Sequence, residues 1–98
     1  MASSKDYKDF ILEQLNPLGD ISCKPMMGEF LLYYKGVLFG GIYDDRLLVK
    51  KTKSVQSLDL KEVIPYPSAK PMLLIDIEDA DEINEIITQV AKDLNNKS

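Results

Sequence analysis

Six carboxylates crowd the ten positions from Asp76 to Glu85: Asp76, Glu78, Asp79, Asp81, Glu82 and Glu85. A set this dense is where a cation would bind or a proton would be exchanged. Its spacing argues against both. It has neither the turn glycine nor the alternating ligands of a calcium loop. Acids gathered where a helix begins are accounted for by capping and by the helix dipole. Cys23 is the single thiol, and the chain contains no histidine to activate it. A small, buried, hydrophobic cysteine is the plainer reading. Met26 and Met27 fit an adaptable binding surface or a filled gap in the core, the second being simpler. Lys24, Arg46, Lys50 and Lys51, with Lys53 beyond them, form a candidate basic strip for an acidic partner or a nucleic acid. Solvated strand ends that discourage edge pairing explain the same residues. Gly40-Gly41 lies inside a strand pattern and lacks the spacing of a phosphate loop. No catalytic set, metal site or cofactor is expected from these residues.

The 98 residues suffice for one domain, 1–98, near the small end of sizes that bury a working core unaided. Hydrophobic residues make up 45% and charged residues 29%, the balance of an ordinary globular protein. One cysteine leaves no internal disulfide, which fits a reducing, cytoplasmic setting. No run approaches the ~20 apolar residues of a membrane span, and the N-terminus lacks the apolar centre of a signal peptide. Net charge of −4 disfavours a general nucleic-acid binder, which needs concentrated Lys and Arg.

Any site must be positioned by a few short elements. Ser3 or Ser4 caps a first helix whose apolar stripe is Tyr7, Phe10, Ile11 and Leu15, ended by Pro17 and Gly19. Asp20 to Lys24 reads as a short strand stopped by Pro25. Hairpin strands follow at about 29–34, 37–43 and 46–50, turning at Lys35-Gly36 and Asp44-Asp45. Ser54 starts a short helix holding Val55 and Leu58. Pro65, Pro67 and Pro71 keep the next stretch extended, and Met72 to Ile77 is an apolar strand. Asp79 caps a last helix, with Glu82 three residues on and Ile83, Ile86, Ile87, Val90, Ala91 and Leu94 along one side. The order predicts an α+β domain: two layers, a mostly antiparallel five-stranded sheet, and amphipathic helices at both ends.

With two-residue turns, directly opposed side chains share a face. One face then holds Leu31, Tyr33, Leu38, Ile42, Leu47 and Val49, and seats the helices. The other holds Phe30, Leu32, Tyr34, Val37, Phe39, Tyr43 and Leu48, with Arg46 and Lys50. A sheet with one wet face should alternate apolar and polar residues, and this one does not. The second face therefore needs a cover: the short middle helix, a protein partner, or a second copy in a homodimer. Phe30, Leu32, Tyr34, Phe39, Tyr43 and Leu48 are the candidate interface. A bulge at Gly40-Gly41 would exchange positions between the faces.

Lys24, Met26, Met27 and Gly28, then Tyr34 with Gly36, Phe39, and Asp44, Asp45, Leu47 and Lys50 stand in a recognisable order. In these residues the sequence resembles the TfoX N-terminal domain family, which includes the TfoX/Sxy competence regulators of bacteria. That pattern runs from a basic residue through Met-Phe-Gly-Gly and a Tyr/Gly hairpin to Asp-Asp-x-Leu-x-x-Lys. Leu18-Gly19, Pro65-Tyr66 and Met72 extend it along the chain. Met27 stands where the family more often has Phe, and Glu29 replaces the second Gly, which implies a different local turn. The longer regulators carry a second, helical domain, whereas this sequence ends at Ser98, as a stand-alone N-terminal domain would. The resemblance implies a fold like secretion-chaperone α+β domains and a role in competence or transcription regulation.

Three functions remain open at this level. The first is a non-enzymatic regulatory module working through protein contacts. The second is a nucleic-acid-binding regulator using Lys24, Arg46, Lys50 and Lys51. The third is an enzyme or small-ligand protein with a carboxylate or Cys23 site. No membrane partner is expected.

Overall fold

The computed structural model describes residues 4–95; Ser3, offered as an alternative helix cap, lies outside them. Helix α1 (Lys5–Leu15) starts at Ser4, whose Oγ accepts the Tyr7 N–H at 3.1 Å. A short 3₁₀ turn, Asn16–Leu18, and Gly19 at φ 65° end it, as Pro17 and Gly19 require. Ile11 and Leu15 are buried, but Phe10 is 54% exposed. Tyr7, Ile11 and Leu15 recur every fourth position and point inward, which leaves Phe10 at the margin of the stripe, its ring 6.4 Å from that of Tyr7.

Six strands follow: β1 (Ile21–Met26), β2 (Glu29–Tyr34), β3 (Val37–Ile42), β4 (Leu47–Lys50), β5 (Glu62–Val63) and β6 (Met72–Leu74). They form one sheet in the order β1-β2-β3-β4-β6-β5, antiparallel throughout. The strand beyond the five expected is the two-residue β5, too short to leave a pattern in sequence. Short helix α2 (Lys53–Gln56) connects β4 to β5, and α3 (Ala80–Asn95) closes the described chain. Asp79 caps α3: its Oδ1 accepts the Asp81 N–H at 3.0 Å.

Three two-residue hairpins build the first four strands. Both turn residues have positive φ at Met27-Gly28, at Lys35-Gly36 and at Asp44-Asp45, the signature of the primed turn whose twist matches paired strands. The first was not expected, because Pro25 reads as a strand end. It instead lies inside β1, opposite Phe30. In a two-residue hairpin the residues flanking the turn exchange backbone hydrogen bonds. Met26, Lys24 and Ser22 therefore bond toward β2, and Pro25 faces the free edge, where its missing N–H costs nothing.

One inserted residue corrects the assignment of faces. Tyr33 pairs with Leu38, but Leu32 pairs with Gly40, so Phe39 is an extra residue on β3. The bulge sits one residue before the Gly40-Gly41 site that threatened the register. Phe30, Leu32 and Tyr34 therefore turn toward the helices, with Phe39, Ile42, Leu47 and Val49. Leu32 and Phe39 are completely buried there. Leu31, Tyr33 and Leu38 take the opposite side. Both glycines are obligatory. A Cβ on Gly40 would fall 2.1 Å from the Leu48 carbonyl oxygen, and one on Gly41 would fall 2.5 Å from that of Phe30.

The core lies between the sheet and the helices. Ile83, Ile86, Ile87 and Val90 of α3 pack with Ile11, Leu15, Val49, Leu73 and Val55 of α2. Each fully buried Leu, Ile or Phe is worth about 1.5–3 kcal/mol. Asn84 donates to the Gln14 carbonyl at 3.2 Å, tying α3 to the open end of α1. Asp93 of α3 accepts the Ser54 N–H at 2.8 Å and its hydroxyl at 2.7 Å, which fastens the start of α2. Those hydrogen bonds hold its carboxyl below the usual range. So α2 belongs to the helix layer and covers none of the second face; Leu58, expected on this helix with Val55, lies beyond its end at Gln56 and is exposed.

Candidate functional site: the helix-free face of the sheet

Alternation along the corrected register sets out the second face. Leu31 and Tyr33 come from β2, Leu38 from β3, Leu48 and Lys50 from β4, and Met72 and Leu74 from β6; Lys24 and Met26 of β1 extend it to the edge. Part of this face is closed by the chain itself. The Tyr43 ring lies over Gly41, within 2.9 Å of where a Cβ would be, which gives Gly41 its second constraint. Tyr66 approaches Tyr43 with ring centroids 6.4 Å apart. Tyr43 and Leu48 are buried as a result. Burial pushes the Tyr43 phenol above its ordinary pKa, and Tyr66 and Glu29 add to the rise.

Beside this closed part runs a groove of about 570 Å³. Leu31, Leu38, Met26 and Met72 line its floor and side, while Pro65, Tyr66, Ala69 and Pro71 form the opposite bank, and Leu94 near the end of α3 also lines it. Lys50, Lys51 and Lys70 stand along it, and no carboxylate lines it. Lys51 pairs with Glu62 at 2.8 Å. Lys50 and Lys70 have no ionic partner among the described residues.

A second, smaller cleft of about 450 Å³ opens at the turn end, between Met27, Glu29, Tyr43, Asp44, Arg46 and Tyr66. Glu29 accepts the Asp44 N–H at 2.8 Å and so braces one hairpin against the next. Its position explains how a glutamate is tolerated after Gly28: the turn has already closed, and Glu29 is ordinary strand. Arg46 donates through Nε to the Tyr43 carbonyl at 3.3 Å.

The basic residues do not form one continuous strip. Lys24 covers the Tyr33 ring at 5.5 Å, Arg46 belongs to the turn end, Lys51 is paired, and Lys50 lines the groove. Of the six candidate interface residues, Phe30, Leu32, Tyr34 and Phe39 face the helices, and Tyr43 and Leu48 lie in the closed part of the second face. The methionines run against the core-filling expectation. Met27 is 97% exposed at φ 51°, and Met26 is exposed as well. Cys23 packs against the core beneath α1, and burial pushes its thiol up, with Lys8 pulling the other way. Among the described residues no three His, Cys, Asp or Glu side chains converge on a metal-sized site, and no helix is long and apolar enough to cross a membrane.

Comparison with known proteins follows this geometry closely. A sequence model of the TfoX N-terminal domain matches residues 13–67, from the second half of α1 to the Tyr66 bank of the groove. An uncharacterised 12.7 kDa protein from the trpE 5′ region of Spirochaeta aurantia is 29% identical over 95 residues, covering 93% of this chain and 83% of that protein. The family match takes in all three hairpins, both obligatory glycines and most of the groove floor.

Proposed function

The chain belongs to the TfoX N-terminal domain family, and from that premise we propose that it is a non-enzymatic regulatory module that docks a protein partner on the helix-free face of its sheet. The observation that carries this reading is the groove between β2–β3 and the 65–71 segment, floored by Leu31, Leu38 and Met72 and flanked by exposed Met26 and Met27. Half-buried apolar side chains beside exposed methionines suit contact with another protein, since methionine adapts to varied surfaces. The Glu29 carboxylate is engaged by the Asp44 N–H, and Cys23 is half-buried against the core with no histidine in the chain to activate it, which supports a non-enzymatic reading. A link to competence or transcription regulation follows from the family's name and is proposed at that level alone.

A photo-crosslinking residue placed at Leu38, with a control at exposed Gln89 on α3, tests the docking face in the organism that makes the protein. The expected outcome is a defined protein adduct from position 38 and none from position 89. Light scattering distinguishes a second copy from a different protein. A strict monomer that yields no adduct at position 38 would end the reading.

A further inference from the structure

The groove's charge identifies what kind of segment fits it. The chain carries 16 acidic and 12 basic residues, yet three lysines and no acid line this groove. Only Lys51 is neutralised, by Glu62. Lys24 adds a further cation on the same face, above Tyr33. An acidic chain has thus placed unpaired positive charge around its apolar recess. Building on the docking reading above, we propose that the occupant is a segment of a different protein in which carboxylates alternate with apolar side chains.

A second copy of this chain fits poorly. Pairing through a two-fold axis sets a surface against itself. Pairing groove to groove would set one lysine-lined recess against another, and like charges brought together oppose association. None of the acids at the start of α3 lines the groove, so docking them into a second copy would require two separate contacts to form at once about a two-fold axis, or would run on head-to-tail. A carboxylate-bearing segment from elsewhere meets neither obstacle. Its apolar side chains enter between Leu31, Leu38 and Met72, and its acids reach Lys50 and Lys70 at the rim, where contact speeds association and sets selectivity. Exposed Met27 and Tyr66 carry the surface past the groove into the turn-end cleft, where Arg46 stands beside Glu29 and Asp44, and contact running on from the groove favours an extended segment over a compact small molecule.

Three labelled decapeptides with the same leucines and either Glu, Gln or Lys at the intervening positions test the proposal by fluorescence anisotropy with the full chain. The Glu peptide should bind at least about tenfold tighter than the Lys peptide, and raising salt from about 50 to about 300 mM should narrow that gap. Lys50→Glu with Lys70→Glu should reverse the order while leaving the melting curve close to the parent's. Equal binding of all three peptides would overturn the charge assignment and leave the docking face standing. Absence of any peptide binding, with no adduct at position 38, would remove both. Tighter binding of a single-stranded oligonucleotide than of the Glu peptide, or a concentration-dependent dimer, would also overturn the proposal.

Discussion

The two faces of this sheet are built from the same strands and nearly the same residue types, yet they have opposite fates. One carries Leu32, Phe39, Ile42, Leu47 and Val49, all closed off by α1, α2 and α3. The other carries Leu31, Tyr33, Leu38, Met72 and Leu74, all left half-covered, with a short segment roofing only Tyr43 and Leu48. Composition does not separate them. What separates them is which residues the Phe39 bulge aims at the helices. An apolar face becomes core only where another element of the same chain reaches it; the remainder is left as surface for something else.

The largest effect should come from emptying the closed face. Phe39→Ala is expected to cost about 3–5 kcal/mol in urea unfolding, against about 1 kcal/mol or less for Leu38→Ala one residue away. Similar losses at the two positions would break the distinction between the faces. Gly40→Ala comes next. Its new methyl must displace the Leu48 carbonyl, and a loss of about 1–3 kcal/mol is expected, with strand pairing between β3 and β4 visibly loosened in hydrogen exchange. A substitution that left stability unchanged would mean the bulge is placed wrongly.

Smaller effects sharpen the picture of how the helix layer is fastened. The Asp93 carboxyl is depressed by its bonds from Ser54, so what it contributes to stability is fully present above the unfolded value of 3.8 and is lost as pH falls through the lower folded value. Asp93→Asn should flatten that acid limb of the unfolding curve and leave neutral-pH behaviour of the open face untouched. The smallest change is expected at Met27, an exposed non-glycine residue in left-handed backbone. Met27→Asn should raise stability by a few tenths to about 1 kcal/mol, while weakening docking. A gain in stability with no change in docking would make Met27 a bystander.

Much of the fold was legible in the sequence. Lys35-Gly36 and Asp44-Asp45 announce two-residue turns, and the Asp79 cap with its isoleucine stripe announces α3. The family was legible as well, because its residues cluster in those same hairpins. The assignment of faces was not. Strands apolar on both sides give no parity signal, so a single inserted residue at Phe39 exchanged the faces of β2 without altering any local pattern. Gly40-Gly41 was the only trace of that irregularity. Pro25 misled for a related reason: a proline ends a central strand but not an edge strand whose N–H points to solvent. Of the two readings open for Met26 and Met27, the simpler core-filling one fails because exposure follows from the Met27-Gly28 turn, which the proline concealed.

Methyl NMR of the full chain titrated with the glutamate peptide compares the two faces most directly, because adjacent residues on one strand report opposite sides. Chemical-shift changes are expected at Leu31, Leu38, Met26, Met27 and Met72, with Leu32, Ile42, Leu47 and Val49 unmoved. Changes concentrated on that second group, or spread evenly across both, would contradict the assignment of the helix-free face as the docking surface.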